Sequence, residues 1–551
     1  MRLSGWSVTV TSCYLLWASI LAAAPQGEVS ITEYGAKGDG KELCTEAIDR
    51  ALKACAEAGG GTVLVPAGTY LTGAIKLPSH VTLHLAAGAV LKGSTNLADY
   101  QVDGRRFPLI RAEKAEHIAI VGPGVIDGSG TSFMDMTKTR TGPYLPKDLD
   151  PNSTRQGRDY MAPKFGEADG PVVYRSRPNR LIRLTECRNV LLRDVILRNA
   201  PCWTLHLEDC EDVDVRGIRI ANNLLVPNSD GIHCTTCRRV HISDCEISAG
   251  DDAICVTSVE SRNPGVCEDV TVANCTLQSR SAGVRVGYGR NPIRNCTFQN
   301  LTIRESNRGL GLFVRDEGSV ENILFSNIVI RTRLHTGHWW GNAEPIHLSV
   351  IPQRKDGQTG RMRNIAFSNI IAESESGIVL YGSKPGDISN VSLDGVTLHI
   401  RNSSLNPSYG GNFDLRPAYD TRVAIFKHDI PAVFSRYTDG LTIRRLELEW
   451  DDNLPEFFDH AILCEHFTGL VIDAFDGRSP HRGRTNAAIA LQHGRDVFIR
   501  NCIADEGTAT FLSHEDVTGD VLLANNDLGH AGKPISPATD SFTSVGNLVS
   551  K

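Results

Sequence analysis

The chain has 551 residues, 41% of them hydrophobic, and a formal net charge of −7. That is enough apolar material for a large core, and no basic run stands ready to neutralise a phosphate backbone, which argues against nucleic acid as a partner. One sustained apolar run, at the N-terminus, is the sole candidate for a membrane segment, so no stable span is expected in the body of the chain.

In chain order the first predicted element is "MRLSGWSVTVTSCYLLWASILAAAPQG". Arg2, the apolar run up to Ala24 and the small residues before Pro25 read as a secretory signal over residues 1–24, cleaved near 22–24. The alternative is a single N-terminal anchor. Either way residues 25–551 are expected outside the cytoplasm, secreted or periplasmic, as one domain. A helix follows, with Ala47, Ile48, Ala51, Leu52 and Cys55 on one face and the glycines at 59–61 as its stop. Over residues 130–179 the strand rhythm lapses into a Pro- and Gly-rich segment with Tyr144, Arg158, Tyr160 and Lys164. A loop of this length is expected to form a lid or binding wall, or else a surface insertion.

From residue 189 onward, short segments of the form apolar-x-apolar-x-x-x-x-apolar recur, beginning "NVLLRDVIL", "DVDVRGIRI", "RVHISDCEI" and "DVTVANCTL". Their second residues are Val190, Val213, Val240, Val270, Cys296, Ile323, Ile365, Val391, Leu441, Leu470 and Val497. The spacing is about 25 residues, with two longer intervals of 42 and 50 that hold a loop or an extra unit. No unit is long enough to bury its own apolar face, so the units must stack. The expectation is an all-β fold, a right-handed parallel β-helix, with the helix around 47–55 capping its open end.

Fifteen cysteines, fourteen without Cys13 in the signal, invite a disulfide reading in an exported chain. Cys187, Cys210, Cys237 and Cys267 lie three residues before a marker, however, and Cys245, Cys275 and Cys502 five after one. A fixed phase favours columns of small interior side chains over bridges. His233, Cys234 and Cys237 have no second Cys/His pair at zinc spacing, so no metal and no cofactor is expected.

The stretch "NSDGIHCTTCRRVHISDCEISAGDDAICV", residues 228–256, carries Asp230, Asp251 and Asp252 beside small residues. Aligning strands by their glycine and apolar positions puts Asp230, Asp252, Ala282 and Arg308 one above another, at intervals of 22, 30 and 26 residues. Asp230 and Asp252 then occupy adjacent rungs, roughly 5 Å apart, with Asp251 as lateral neighbour. Carboxyls this close repel, which separates their pKa values and lets one keep a proton while others stay ionised. Aspartates at solenoid turns also satisfy backbone donors without any chemistry, and Asp244 and Asp394 are read that way.

Residues 29–345 resemble glycoside hydrolase family 28, the polygalacturonases and related pectin hydrolases. The likeness rests on "EYGAKGDG", "GGGTVLVPAGTYLTG" and "GVIDGSG" near the N-terminus, and above all on "NSDGIH" and "GDDAI". The resemblance implies an inverting hydrolase of polysaccharide or oligosaccharide, with Asp251 as general acid, Asp230 and Asp252 activating water, and Asn228 orienting the site. In the family, Gly-His-Gly and then Arg-Ile-Lys follow the acidic motifs. Here "SAGVRVG" and "GLGLFVRD" stand there, with Ala282 in the place of the histidine and Gly311 and Phe313 in those of the arginine and lysine.

Arg285, in the column of Gly311 but one rung earlier, is the candidate replacement for holding a substrate carboxylate, with Arg308 and Arg315 behind it. A solvated charged face explains all three equally. His233 is a further substrate-binding candidate. Trp340, with Trp339, is a candidate platform for a sugar face or, alternatively, packing at a loop base. His347 and His428 are read as structural.

Two other classes compete: a polysaccharide lyase on the same solenoid, which by family resemblance uses a Lys or Arg base and usually calcium, and a carbohydrate-binding solenoid without catalysis. The 130–179 insert and the interval before Leu441, with "GGNFDLRP", are expected to block one end of the cleft and favour exo action.

Overall fold

A computed structural model of the chain describes residues 27–140, 151–160, 169–259, 261, 263–483 and 486–549. The 1–24 segment, Tyr144, Lys164 and the side chain of Arg158 lie outside the described residues.

Strands too short to bury a face alone are stacked, one coil on the next, into two long parallel sheets of 29 and 15 strands. Parallel strands joined by a crossover take the right-handed sense, and the molecule is a right-handed parallel β-helix. The marker residues fall in register: Val190 pairs with Val213, Val213 with Val240, and Val240 with Val270. Across the two long intervals Ile323 pairs directly with Ile365, and Val391 with Leu441. Each long interval is therefore one coil enlarged by loops, with no extra unit inside it.

The corners explain the recurrent asparagines. Asn295, Asn322, Asn364 and Asn390 adopt left-handed backbone with φ from 52° to 56°, a conformation that asparagine tolerates better than other side chains with a Cβ. Their amides form a ladder: Asn322 Nδ2 donates to Asn295 Oδ1 (3.1 Å), Asn364 to Asn322 (2.8 Å) and Asn390 to Asn364 (2.7 Å). A second ladder joins Asn274, Asn300, Asn327 and Asn369. Inside, Phe298, Phe325 and Phe367 stack at 4.8 and 5.0 Å between ring centres.

The fourteen cysteines among the described residues are free thiols, all buried. Cys210 and Cys237 donate to the carbonyls of Leu184 and Leu207 one coil back, as columns of interior thiols should.

Helix α1 (Thr45–Glu57) buries Ala47, Ile48, Ala51, Leu52 and Cys55, the face expected, against the first coils. Gly60, at φ 109°, follows it where a Cβ would meet the His80 carbonyl oxygen at 2.5 Å. Among the described residues no helix is long and apolar enough to cross a membrane.

The 130–179 insert forms an antiparallel pair, Met134–Thr139 with Val172–Tyr174. It is tied to the loop of the second long interval: Arg155 donates from its backbone N–H to Asn412 Oδ1 (2.7 Å) and from Nε to the Gly411 carbonyl (3.1 Å).

Candidate active site

Seven consecutive coils each present one strand to the site: β1 (Arg180–Thr185), β2 (Trp203–Glu208), β3 (Ile232–Thr235), β4 (Ile254–Ser258), β5 (Ala282–Gly289), β6 (Arg308–Val314) and β7 (Ile346–Val350). Ile182, Leu205, Ile232, Ile254, Val284, Leu310 and Ile346 pair in turn and are buried in the core. Two residues earlier, at the start of each rung, stand Arg180, Trp203, Asp230, Asp252, Ala282, Arg308 and Glu344. Backbone bonds from Gly231 N–H to Asp252 O and from Ala253 N–H to Ala282 O set this stack. One residue after the core row, the alternation of a strand puts His206, His233, Cys255, Arg285, Gly311 and His347 in a second column.

The three aspartates meet where these columns adjoin. Asp230 and Asp252 are each 2% exposed, and Asp251 is half-buried. Asp230 Oδ2 lies 3.1 Å from His233 Nδ1, and the Cys255 thiol lies 3.6 Å from Asp230 Oδ2 and 3.8 Å from Asp252 Oδ2. Asp252 Oδ2 takes Arg285 Nη1 at 2.6 Å, while its Oδ1 accepts the Ala282 N–H at 2.9 Å. Asp251 Oδ1 accepts the Asp252 N–H (3.0 Å), and Asp251 Oδ2 faces Asn228 Nδ2 at 3.4 Å. The Asn228 amide is itself oriented, since Arg177 Nη2 donates to its Oδ1 at 3.1 Å.

Electrostatics separate the three. Burial, then repulsion from Asp252, pushes Asp230 up to about 7. Burial, then the charges of Asp230 and Asp252, lifts Asp251 well above the carboxylate range. Asp252 is the carboxylate of an ion pair with Arg285. Burial also holds His233 well below the usual imidazole range, so the ring is neutral.

A cleft opens over this group, bordered by Asn228, Asp230, Asp251, Arg285, Tyr288 and Trp340. Its inner end reaches Asp252, Arg308, Phe313 and Arg416.

The family model described as glycosyl hydrolases family 28 matches residues 164–407, the span that holds both acidic motifs. Residues 164–407 of this chain are thus similar to glycosyl hydrolases family 28. A second family model, described as rhamnogalacturonase A/epimerase, pectate lyase-like, matches residues 28–117. An exo-poly-alpha-D-galacturonosidase from Dickeya chrysanthemi is 30% identical over 250 residues, 41% of this chain and 41% of that protein. A polygalacturonase from Persea americana is 25% identical over 378 residues, 65% of this chain and 70% of that one. The chain thus spans about two fifths of the length of the first of these relatives. Among solved structures, the family 28 exopolygalacturonase of Yersinia enterocolitica has the same fold, with a TM-score of 0.53 at 19% identity over 81% of this chain and 78% of that chain.

The structure moves two of the expected substrate-binding residues, Arg315 and His233, off the cleft and leaves Arg308 only at its inner end. Arg315 is buried, donating to Ser349 O (2.9 Å), Ser349 Oγ (2.8 Å) and Leu415 O (3.0 Å), and it does not line the cleft. Arg308 is 2% exposed; its Nη2 donates to Asp414 O (2.9 Å) and its Nε faces Glu344 Oε2 at 3.4 Å, so it reaches only the cleft's inner end. His233 is wholly buried beneath the Trp203 ring at 3.8 Å and touches Asp230 instead of the cleft. The reason is common to both arginines: loops from the two long intervals fold over their part of the solenoid.

Asn228, Arg285 and Trp340 do border the cleft. Trp340 is half-buried, whereas Trp339 is 4% exposed with its Nε1 donating to Asp169 O, so packing and platform divide between the pair. The substituted positions Gly311 and Phe313 pack on each other, because a Cβ on Gly311 would meet the Phe313 ring at 2.6 Å.

Four contributors escaped the sequence reading: Arg177, Tyr288, Asp169 and Cys255. The Asp169 carboxylate gathers Arg280 Nη2 (3.0 Å), both terminal nitrogens of Arg333 (3.1 Å each) and His335 Nδ1 (3.4 Å), anchoring the insert beside the tryptophan loop. Only Cys255 had a usable signal, since it follows Asp252 by three residues as His233 follows Asp230.

Proposed function

We propose that this chain is an exported, inverting, polygalacturonase-like hydrolase that removes units from one end of a pectin-type polysaccharide. The observation that carries this reading is the trio of carboxyls that two adjacent rungs bring together at one cleft, with burial and mutual repulsion raising Asp230 and Asp251 and Arg285 paired to Asp252. Asp251, which keeps its proton, gives it to the glycosidic oxygen as the bond to the leaving sugar breaks. Asp252 with Asp230 draws a proton from a water that attacks the anomeric carbon from the opposite face, so the product anomer is inverted. Asn228, fixed by Arg177, orients Asp251. Arg285 is the cleft cation suited to a uronate carboxylate, which would share it with Asp252.

Exo action is supported by the walls. The 130–179 insert, the tryptophan loop and the loop around Asp414 brace one another: Gln156 Nε2 donates to Gly410 O (2.8 Å), Arg416 Nη2 to Trp339 O (2.7 Å), and the Gly341 N–H to Asp414 Oδ2 (2.6 Å). Export is inferred from the apolar N-terminal segment, and exo action draws further support from the exo-poly-alpha-D-galacturonosidase relative.

The test is a polysaccharide panel with the anomer of the first product read by NMR. The expected result is an inverted anomer and mono- or disaccharide from the earliest time points. Mid-chain cuts would overturn exo action, and an unsaturated, ultraviolet-absorbing product would favour a lyase. Asp251→Asn should lower kcat by about 10²- to 10⁴-fold, the usual worth of a general acid; undiminished turnover would sink that assignment.

A further inference from the structure

Cys255 is buried directly beneath the reacting carboxyls, and neither the proposed hydrolysis nor the packing of the core uses its sulfur. Its thiol spans the two rungs, 3.6 Å from Asp230 Oδ2 and 3.8 Å from Asp252 Oδ2. His233 Nδ1 completes a compact group: Asp230 Oδ2, His233 Nδ1 and Cys255 Sγ all lie within 4.8 Å of one another. The same carboxyl has a second oxygen to offer: Asp230 Oδ1 is buried with no hydrogen-bond partner among the described residues, and Asp230 borders the cleft.

We propose that Asp230, His233 and Cys255 form a binding site for a zinc-class divalent cation, and that filling it shuts down the hydrolase. One sulfur, one imidazole nitrogen and one carboxylate oxygen make a borderline-soft donor set, suited to zinc or cadmium and poorly suited to calcium or magnesium. Bonds of about 2.0–2.3 Å to a tetrahedral ion put ligand atoms roughly 3.5 Å apart. The 3.1 and 3.6 Å separations around Asp230 Oδ2 are already near that spacing.

The second shell is in place too. A neutral His233 with its proton on Nε2, directed at Thr257 Oγ1 (3.1 Å), presents its Nδ1 lone pair to the cation. The charged groups packed around the site are Arg180 on β1, Asp251 and Asp252 beside β4, and Arg285 on β5; His206 on β2 is neutral. Arg285 opposes a cation, while two further carboxyls favour it. Because the thiol must lose its proton to bind, affinity rises with pH.

The inhibitory half of this proposal rests on Asp230 serving the reaction as described above; the binding half does not. The test uses the full chain titrated with cadmium, whose bond to a thiolate gives an ultraviolet charge-transfer band, alongside calorimetry and hydrolysis of the best panel substrate. The expected result is one cadmium per chain with a thiolate band, and activity falling in proportion to occupancy. Cys255→Ser should lose the band and bind at least about ten-fold more weakly, and its own activity, whatever its level, should stay level across the same titration. His233→Gln, measured in parallel, should keep the thiolate band but need at least about ten-fold more cadmium.

A band that survives Cys255→Ser, or no band at all, overturns the site. A band without loss of activity overturns the inhibition. If no glycan is hydrolysed, the function reading has failed, and the band and stoichiometry alone decide this one.

Discussion

When burial pushes a carboxyl up to about 7, as it does for Asp230, the fold holds a proton that the unfolded chain releases near pH 4. The folded state then binds more protons between those limits. The contribution of Asp230 to stability is therefore greatest below pH 4, falls as pH rises through 7, and levels off above. Asparagine has no proton to lose, so Asp230→Asn should abolish activity yet melt higher relative to the parent at pH 8 than at pH 5. Thermal melts at the two values check this; an unchanged difference would mean that Asp230 is solvated in the fold. At this scale the acidic trio was legible because the repeat period alone sets which side chains share a rung. Arg308 and Arg315 were misplaced for a complementary reason. Part of what buries them, the carbonyls of Asp414 and Leu415, comes from 106 and 100 residues further on, in a stretch whose path no periodicity encodes.

Among elements, the asparagine corners carry the most regular interaction in the molecule. Asn322 both accepts from Asn364 and donates to Asn295 while holding φ at 56°. Replacing it with alanine removes two amide contacts and leaves a Cβ in left-handed backbone, so Asn322→Ala should cost about 1–2 kcal/mol in denaturant unfolding. The tie between the insert and the tryptophan loop gathers instead on one residue, Asp169. Asp169→Ala frees Arg280, Arg333 and His335 together and loosens the contact with Trp339, so KM should rise about ten-fold with kcat changed less. Equal losses in kcat and kcat/KM would move Asp169 from the wall to the chemistry. The helix α1 face and the strand columns could be read in advance because each is periodic. The antiparallel pairing of the insert could not, because Val172–Tyr174 finds its partner only once the coil beneath it exists.

As a whole, the molecule gains its stability one coil at a time, each rung contacting only its neighbours, so a local lesson extends along its length. The sequence disclosed the coils from Val190 to Val497 but not those at either end, where Ile118 pairs with Val190 and Val521 with Val497, and it left the enlarged coils ambiguous, since 42 and 50 residues fit a loop or a further turn until Ile323 and Ile365 are seen paired. The same periodicity governs the sulfur chemistry. None of the fourteen described thiols is bridged, so melting curves taken with and without a reductant should superimpose; a drop with reductant would reveal a hidden crosslink. The hazard therefore lies earlier in the protein's life. Under the export proposed above, a nascent copy in an oxidising space would present all those sulfurs, and it would stay native only if winding outran mispairing.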